Sequence, residues 1–160
     1  MHAPRARARA AGRGIACALS ALLALAVAAP ARAIDNPDTP DLVAAFHARC
    51  ETYEHAERHD AQTTRDIVDA QARYGRFLQA ELDRAYADLL AQLHGAQREA
   101  LQRAQQRWLA YREAELRFVG ANWTTGRFGT SSAISRGDYR NQLLKDRTAQ
   151  LLRYRMNYPP

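Results

Sequence analysis

His47, Cys50, Glu51, Glu54, His55 and His59 crowd one short stretch of this 160-residue chain, and all of them can bind metals or move protons. On a helical wheel His47, Glu51 and Glu54 share one side, while His55 and His59 form an i, i+4 pair able to chelate zinc. No second cluster elsewhere completes a tetrahedral set. The pattern therefore reads as the polar face of an amphipathic helix, and neither metal nor cofactor is expected. Cys50 with His47 one turn away has nothing to support it as a nucleophile, and the serines lack a Gly-x-Ser-x-Gly setting. The carboxylate pairs Glu51/Glu54 and Glu113/Glu115 are spaced as on any helix surface. Gly126, Gly129 and Gly137 have neither the preceding strand nor the lysine of a phosphate-binding loop. These residue types point away from an enzyme.

Binding chemistry is better placed in the stretch GANWTTGRFGTSSAISRGD, residues 120–138, with four glycines and six Ser/Thr. Without helical period, it reads as a loop of about fifteen residues, longer than most helix connections and of the kind that carries function. Arg127 and Phe128 stand between two glycines at its tip, with Thr130, Ser131 and Ser132 as hydrogen-bond donors.

The elements that must position this tip are helical. Thr39 and Pro40 resemble a cap and a first helical residue. Val43, Phe46, Cys50 and Tyr53 follow at helical spacing, to about Arg58. Cys50 lies on that stripe, which favours its burial. Ile67, Tyr74, Leu78, Leu82, Tyr86, Leu89 and Leu93 mark a long helix over 63–93, with Gly75 its weak point and Gly95 a left-handed stop. A third helix from near Gln97 carries Leu101, Gln105, Trp108, then Arg112 or Tyr111, Glu115, and Phe118 or Val119. The last, Asp138 to Tyr154, turns Tyr139, Leu143, Leu144, Leu151 and Leu152 inward. Strand signals and internal repeats are absent. The expected fold is all-α: an antiparallel bundle of about four helices, with one long Gly/Ser/Thr-rich loop before the last.

Arg5, Arg7, Arg9 and Arg13, an apolar run from Ile15 to Ala29, and Ala31-Arg32-Ala33 have the form of a secretory signal, with cleavage before Ile34. The apolar run is shorter than the roughly 20 residues of a bilayer span. Cys17 stands at its start rather than after it, which argues against lipid attachment. The remaining residues, 34–160, form one domain without a membrane span. Five arginines leave with the signal, so 18 basic residues face 17 acidic ones, a formal +1. A nucleic-acid face needs clustered positive charge, which this chain lacks; Lys145 is its only lysine.

ELDRAYADLLAQL, LQRAQQRWLAYREAELRF and KDRTAQLL together resemble the LprI-type family of small secreted bacterial proteins, one of which gave it the label of lysozyme inhibitor. The family-motif positions are Leu82, Asp83 and Tyr86; Leu101, Ala104, Gln105, Trp108, Tyr111, Arg112 and Glu113; Gly129; and Arg147, Thr148 and Leu151. The resemblance implies a protein partner, a lysozyme-like muramidase, and no catalytic residues. The alternative is an envelope interaction module without inhibitory activity. Trp108 is expected in the core, with Arg112 and Glu113 fixing the bundle. The family's usual cysteines are replaced by Ala70, Leu116 and Tyr139, leaving Cys50 unpaired. Such a loss costs about 2–5 kcal/mol, which packing of Leu116 against Tyr139 would partly offset.

Overall fold

The structure, a computed structural model, describes residues 40–157. Thr39 and the expected signal segment, residues 1–33, lie outside the described residues. The fold is all-α: α1 (Leu42–His55), α2 (Thr64–Gln92), α3 (Gly95–Asn122), α4 (Thr125–Phe128) and α5 (Ser131–Met156), with no strand among the described residues.

Local chemistry sets the boundaries. Asp41, rather than Thr39, caps α1: its Oδ1 accepts from the N–H groups of Val43 and Ala44, each at 2.9 Å. A π-helical turn, Ala56–Asp60, continues α1 before the chain extends at Ala61. Thr63 and Asp66 then satisfy each other's backbone N–H in a capping box that starts α2. After Leu93 and His94, both extended, Gly95 opens α3 with φ +49°, a conformation that favours glycine. Arg98 donates to the Leu90 carbonyl, one of the acceptors left over at the end of α2.

The expected long loop is largely helical. Only Trp123, Thr124, Gly129 and Thr130 lie outside helices between α3 and α5, and Gly120 and Gly137 are inside them. Two side-chain bonds hold the entry to α5: Ser131 Oγ to the Phe128 carbonyl and Ser132 Oγ to the Gly129 carbonyl. Ser, Thr and Gly disfavour a helix by at most about 1 kcal/mol each, so such local contacts and packing override composition.

Helices adjacent in sequence run antiparallel, as expected. Contacts pair Arg49 with Glu81 and Glu54 with Tyr74 across α1 and α2, Gln79 with Arg112 across α2 and α3, and Gln105 with Arg147 across α3 and α5. The most extensive interface, however, joins α2 to α5, and these two run parallel: Gln71 faces Asn141 and Asp88 faces Arg155. α1 and α3 flank this pair without touching each other.

Reciprocal glycines allow that approach. A Cβ at Gly75 would stand 2.7 Å from Asn141 Oδ1, and one at Gly137 only 2.1 Å from Gln71 Oε1. With no side chain at 75, the Gln71 carbonyl one turn earlier is open to a second donor, and Asn141 Nδ2 reaches it at 2.9 Å. Around this contact Phe46, Leu78, Leu82, Leu89 and Leu151 are fully buried, each stabilising by about 1.5–3 kcal/mol. Cys50 is buried among them, as its stripe predicts. On α3 the structure selects Arg112 and Val119 for the inner face; Tyr111 is 50% exposed and Phe118 62%.

The Gly137 contact generates a stability prediction. Gly137→Val forces Gln71 out of its place and should lower unfolding free energy by about 1–3 kcal/mol in urea titrations followed by circular dichroism. Gly126→Ala, whose added methyl would meet only Thr124 Oγ1 at an ordinary 4.0 Å, should stay near wild type. Equal stability of the two variants would refute the close-approach assignment.

Candidate functional site

Five of the motif residues, Asp83, Gln105, Trp108, Arg112 and Arg147, join Gln79 and Gln150 in a polar relay that ties α3 to both central helices. Arg147 is 7% exposed and, among the described residues, has no carboxylate partner. Its Nε and Nη2 donate to Gln105 Oε1 at 3.1 and 3.0 Å, and Nη1 donates to Gln150 Oε1 at 2.6 Å. Burial pulls its pKa below the ordinary value, although an arginine stays charged. Trp108 lies against it, with the Arg147 guanidinium 5.7 Å and the Arg112 guanidinium 5.1 Å from the ring centre. Arg112 Nη1 donates to Gln79 Oε1 at 3.0 Å, and Gln79 Nε2 donates to Asp83 at 2.8 Å.

Gln105, Arg112 and Arg147 make hydrogen bonds between helices, whereas Asp83 is exposed and bonds only to Gln79, one turn away on α2; the other motif positions differ again. Trp108 is half-buried at the edge of the core, against two cations rather than within hydrocarbon. Glu113 is exposed and pairs only with Arg117, one turn along α3, so it fixes no helix to another. Tyr111 is exposed. Leu82 is buried, Tyr86 is half-buried against the core, and Thr148 Oγ1 donates to the Leu144 carbonyl one turn back. Gln79 and Gln150 have no periodic or motif signal, because exposed glutamines are common on any helix.

The His/Cys/Glu cluster is dispersed into other tasks, and no group of three potential metal ligands gathers among the described residues. His55 and His59 lie with their rings tilted and their centres 4.4 Å apart, and His47 and Glu51 are exposed. Glu54 Oε1 accepts from Tyr74 at 2.8 Å and from Lys145 at 2.6 Å, joining α1 to α2 and α5. Burial pushes the Glu54 carboxyl up, but the bonds from Lys145 and Tyr74 outweigh it and hold its pKa below 4.5. Burial raises the Cys50 thiol and also the Tyr74 hydroxyl, which makes Cys50 a core residue rather than a nucleophile.

The tip of the fold is α4, held from behind. Arg136 Nη1 donates to the Trp123 carbonyl at 2.6 Å, and Trp123 meets Tyr139 edge-on at 5.5 Å. Tyr139 in turn donates to Glu115, a bond that pushes its pKa up to about 12. Leu116, like Tyr139 a position where the resemblance implies a cysteine, lines a groove with Leu144. Gly129, with φ +64°, turns the chain from α4 into α5. Arg127 and Phe128 project on α4; both are exposed, Phe128 by 55%, and no carboxylate among the described residues pairs with Arg127. Thr130 and Ser131 are exposed beside them. Ser132 is 1% exposed and bonded to Gly129, so it supports the turn and offers no donor outward.

The relay and the carboxylate seam each make a measurable claim. Gln105→Leu leaves buried Arg147 donors without an acceptor and should destabilise by about 1–3 kcal/mol, or more given the charge. Glu113→Gln should remain within about 0.5 kcal/mol of wild type; a comparable loss in both would place Glu113 back in the framework. Because the folded pKa of Glu54 is depressed, its stabilising contribution is present above pH 4.5 and lost as pH falls through the folded value. Glu54→Gln should be less stable at pH 7, with a smaller further loss on acidification below pH 4.5. Glu57, raised by burial, acts with the opposite sign and is present in both proteins. Parallel stability curves for wild type and Glu54→Gln would refute the assignment.

Comparison with known proteins adds identity to this geometry. No curated protein and no solved structure matches the chain. The family model described as lysozyme inhibitor LprI matches residues 55–151, more than half of the sequence and all of the relay. The chain belongs to the lysozyme inhibitor LprI family.

Proposed function

We propose that this protein is an exported, non-enzymatic inhibitor that blocks a lysozyme-like muramidase through the α4 tip. Residues 1–33 act as the signal peptide, cleaved before Ile34, and residues 34–160 form the single helical domain at work in the periplasm or outside the cell. The family supports an inhibitor. The observation that carries the tip assignment is the unpaired Arg127 beside exposed Phe128, on a short helix braced by Arg136, Trp123 and Tyr139.

A muramidase cleaves its sugar chain with two carboxylates facing each other in a cleft. A guanidinium can pair with a carboxylate through two parallel hydrogen bonds. A projecting arginine flanked by an aromatic ring is thus suited to enter the cleft and occupy an acid. Thr130 supplies a further donor along the entry, whereas the Ser131 hydroxyl, which donates its proton to the Phe128 carbonyl, is left there only as an acceptor. Bracing the tip before binding reduces the ordering cost of association. The formal +1 of residues 34–160 gives no long-range attraction to a cationic enzyme, so the association rate depends on local fit.

The alternative, an envelope interaction module without inhibitory activity, draws on Leu109, Tyr111 and Phe118, each exposed on α3. Adding purified protein to a muramidase acting on labelled cell wall separates the two. Micromolar protein should slow lysis, and Arg127→Ala should weaken inhibition at least tenfold, as expected for about 1.4 kcal/mol or more at a central contact. Undiminished lysis at micromolar excess removes the inhibitor reading for that enzyme. Inhibition that survives Arg127→Ala and Phe128→Ala moves the site away from α4.

A further inference from the structure

A second site lies away from the tip, where α2, α3 and α5 enclose a groove of about 350 Å³. Three arginines line it, one from each helix: Arg76, Arg112 and Arg140. No acidic residue lines the groove, and among the described residues none of the three has an ion-pair partner. The sequence enforces this isolation. One turn either side of Arg76 stand Ala72, Arg73, Gln79 and Ala80; around Arg140 stand Arg136, Gly137, Leu143 and Leu144. The only acid at such spacing from Arg112 is Glu115, which is engaged by Tyr139.

A neighbouring groove of about 280 Å³ shows the contrast. There Glu54, Glu57 and Asp138 stand with Lys145 and Arg58, and both cations pair with Glu54, so positive charge finds its acid within the protein. The three-arginine groove leaves its balance to something else. A cleft lined by one sign of charge concentrates ions of the opposite sign. Guanidinium groups suit the planar or tetrahedral oxygens of carboxylate and phosphate. Between the arginines the walls are apolar, from Ala72, Leu116 and Leu144. Arg112 is already oriented by Gln79 and by the Trp108 ring, while its Nε and Nη2 make no hydrogen bond among the described residues. The volume falls at the lower end of the roughly 300–1,000 Å³ typical of small-molecule sites.

We propose that this groove binds a small amphiphilic anion, a phosphate or carboxylate group carrying a short apolar chain, with Arg76, Arg112 and Arg140 on the anion and Leu116 and Leu144 on the chain. The site is separate from α4 and does not depend on muramidase inhibition.

Calorimetric titration of the whole protein with monomeric octyl phosphate tests it. Octyl phosphate should bind, with inorganic phosphate and octylamine at least about tenfold weaker. Arg76→Gln and Arg140→Gln, at exposed positions that carry no packing, should each weaken octyl phosphate binding by about tenfold, the usual scale for a charged hydrogen bond. Leu116→Ser should shrink the preference for octyl phosphate over inorganic phosphate. Phosphatidylglycerol vesicles that sediment wild type but not the Arg76→Gln/Arg140→Gln double variant would assign the anion to a lipid headgroup. Vesicles that leave wild type in solution would assign it to a soluble amphiphile. Absence of heat with octyl phosphate, unchanged affinity in the double variant, or inorganic phosphate binding as tightly as octyl phosphate would each overturn the proposal.

Discussion

The rest of the structure depends on how closely α2 and α5 approach. Gly75 and Gly137 remove side chains at reciprocal points of contact, and Asn141 and Gln71 fill the space. Helices separated by larger side chains sit about 8–10 Å apart and can slide along alternative ridges. Here Asn141 donates to one particular backbone carbonyl, which fixes register as well as distance. The buried Oε1 of Gln71 has no conventional donor and lies against the Gly137 backbone. That polar mismatch is tolerated in return for a close seam. With α2 and α5 parallel and central, α1 and α3 must pack on opposite flanks.

Each flank is attached differently, and this divides framework from surface. α1 adds Phe46 and Cys50 to the hydrocarbon core and is aligned by Glu54, whose carboxylate receives bonds from α2 and α5 at once. α3 has a thinner apolar seam, with Leu101 and Val119 buried toward its two ends. Between them the seam is polar: Arg147 and Gln105, Trp108, then Arg112 and Gln79. A buried guanidinium held by neutral acceptors avoids the strong desolvation of a second charge, yet it still demands that each acceptor be present. Glu113 has no such partner and tolerates water.

Much of the architecture could be read from hydrophobic spacing, because a helix that buries one stripe shows a 3.6-residue period. Leu78, Leu82, Leu89 and Leu93 were therefore visible as core. Arg112 against Tyr111, and Val119 against Phe118, are adjacent in sequence, and only the path of α3 across α2 and α5 decides which turns inward. Composition misplaced residues 120–138. Glycine there signals a turn at Gly129 but a helix contact at Gly137, and the difference lies in Gln71, sixty-six positions away. The tip residues Arg127 and Phe128 were legible because two glycines isolate them, whereas the burial of Ser132 was not, since its hydroxyl closes on Gly129 only once α5 has formed. Lys145, the sole lysine, gave a signal of rarity without a partner, and the partner, Glu54, sat in a cluster that resembled a metal site.

The missing family cysteines bear on how the tip is braced. A disulfide between the end of α3 and the start of α5 would hold the α4 turn by a covalent loop closure, which acts largely on the unfolded chain. In this protein the same region is held by Trp123 against Tyr139, by Tyr139 to Glu115, and by Arg136 to the Trp123 carbonyl. These contacts act in the folded state, and they need no oxidising compartment. Leu116, the other position where the resemblance implies a cysteine, lines the arginine groove with Leu144.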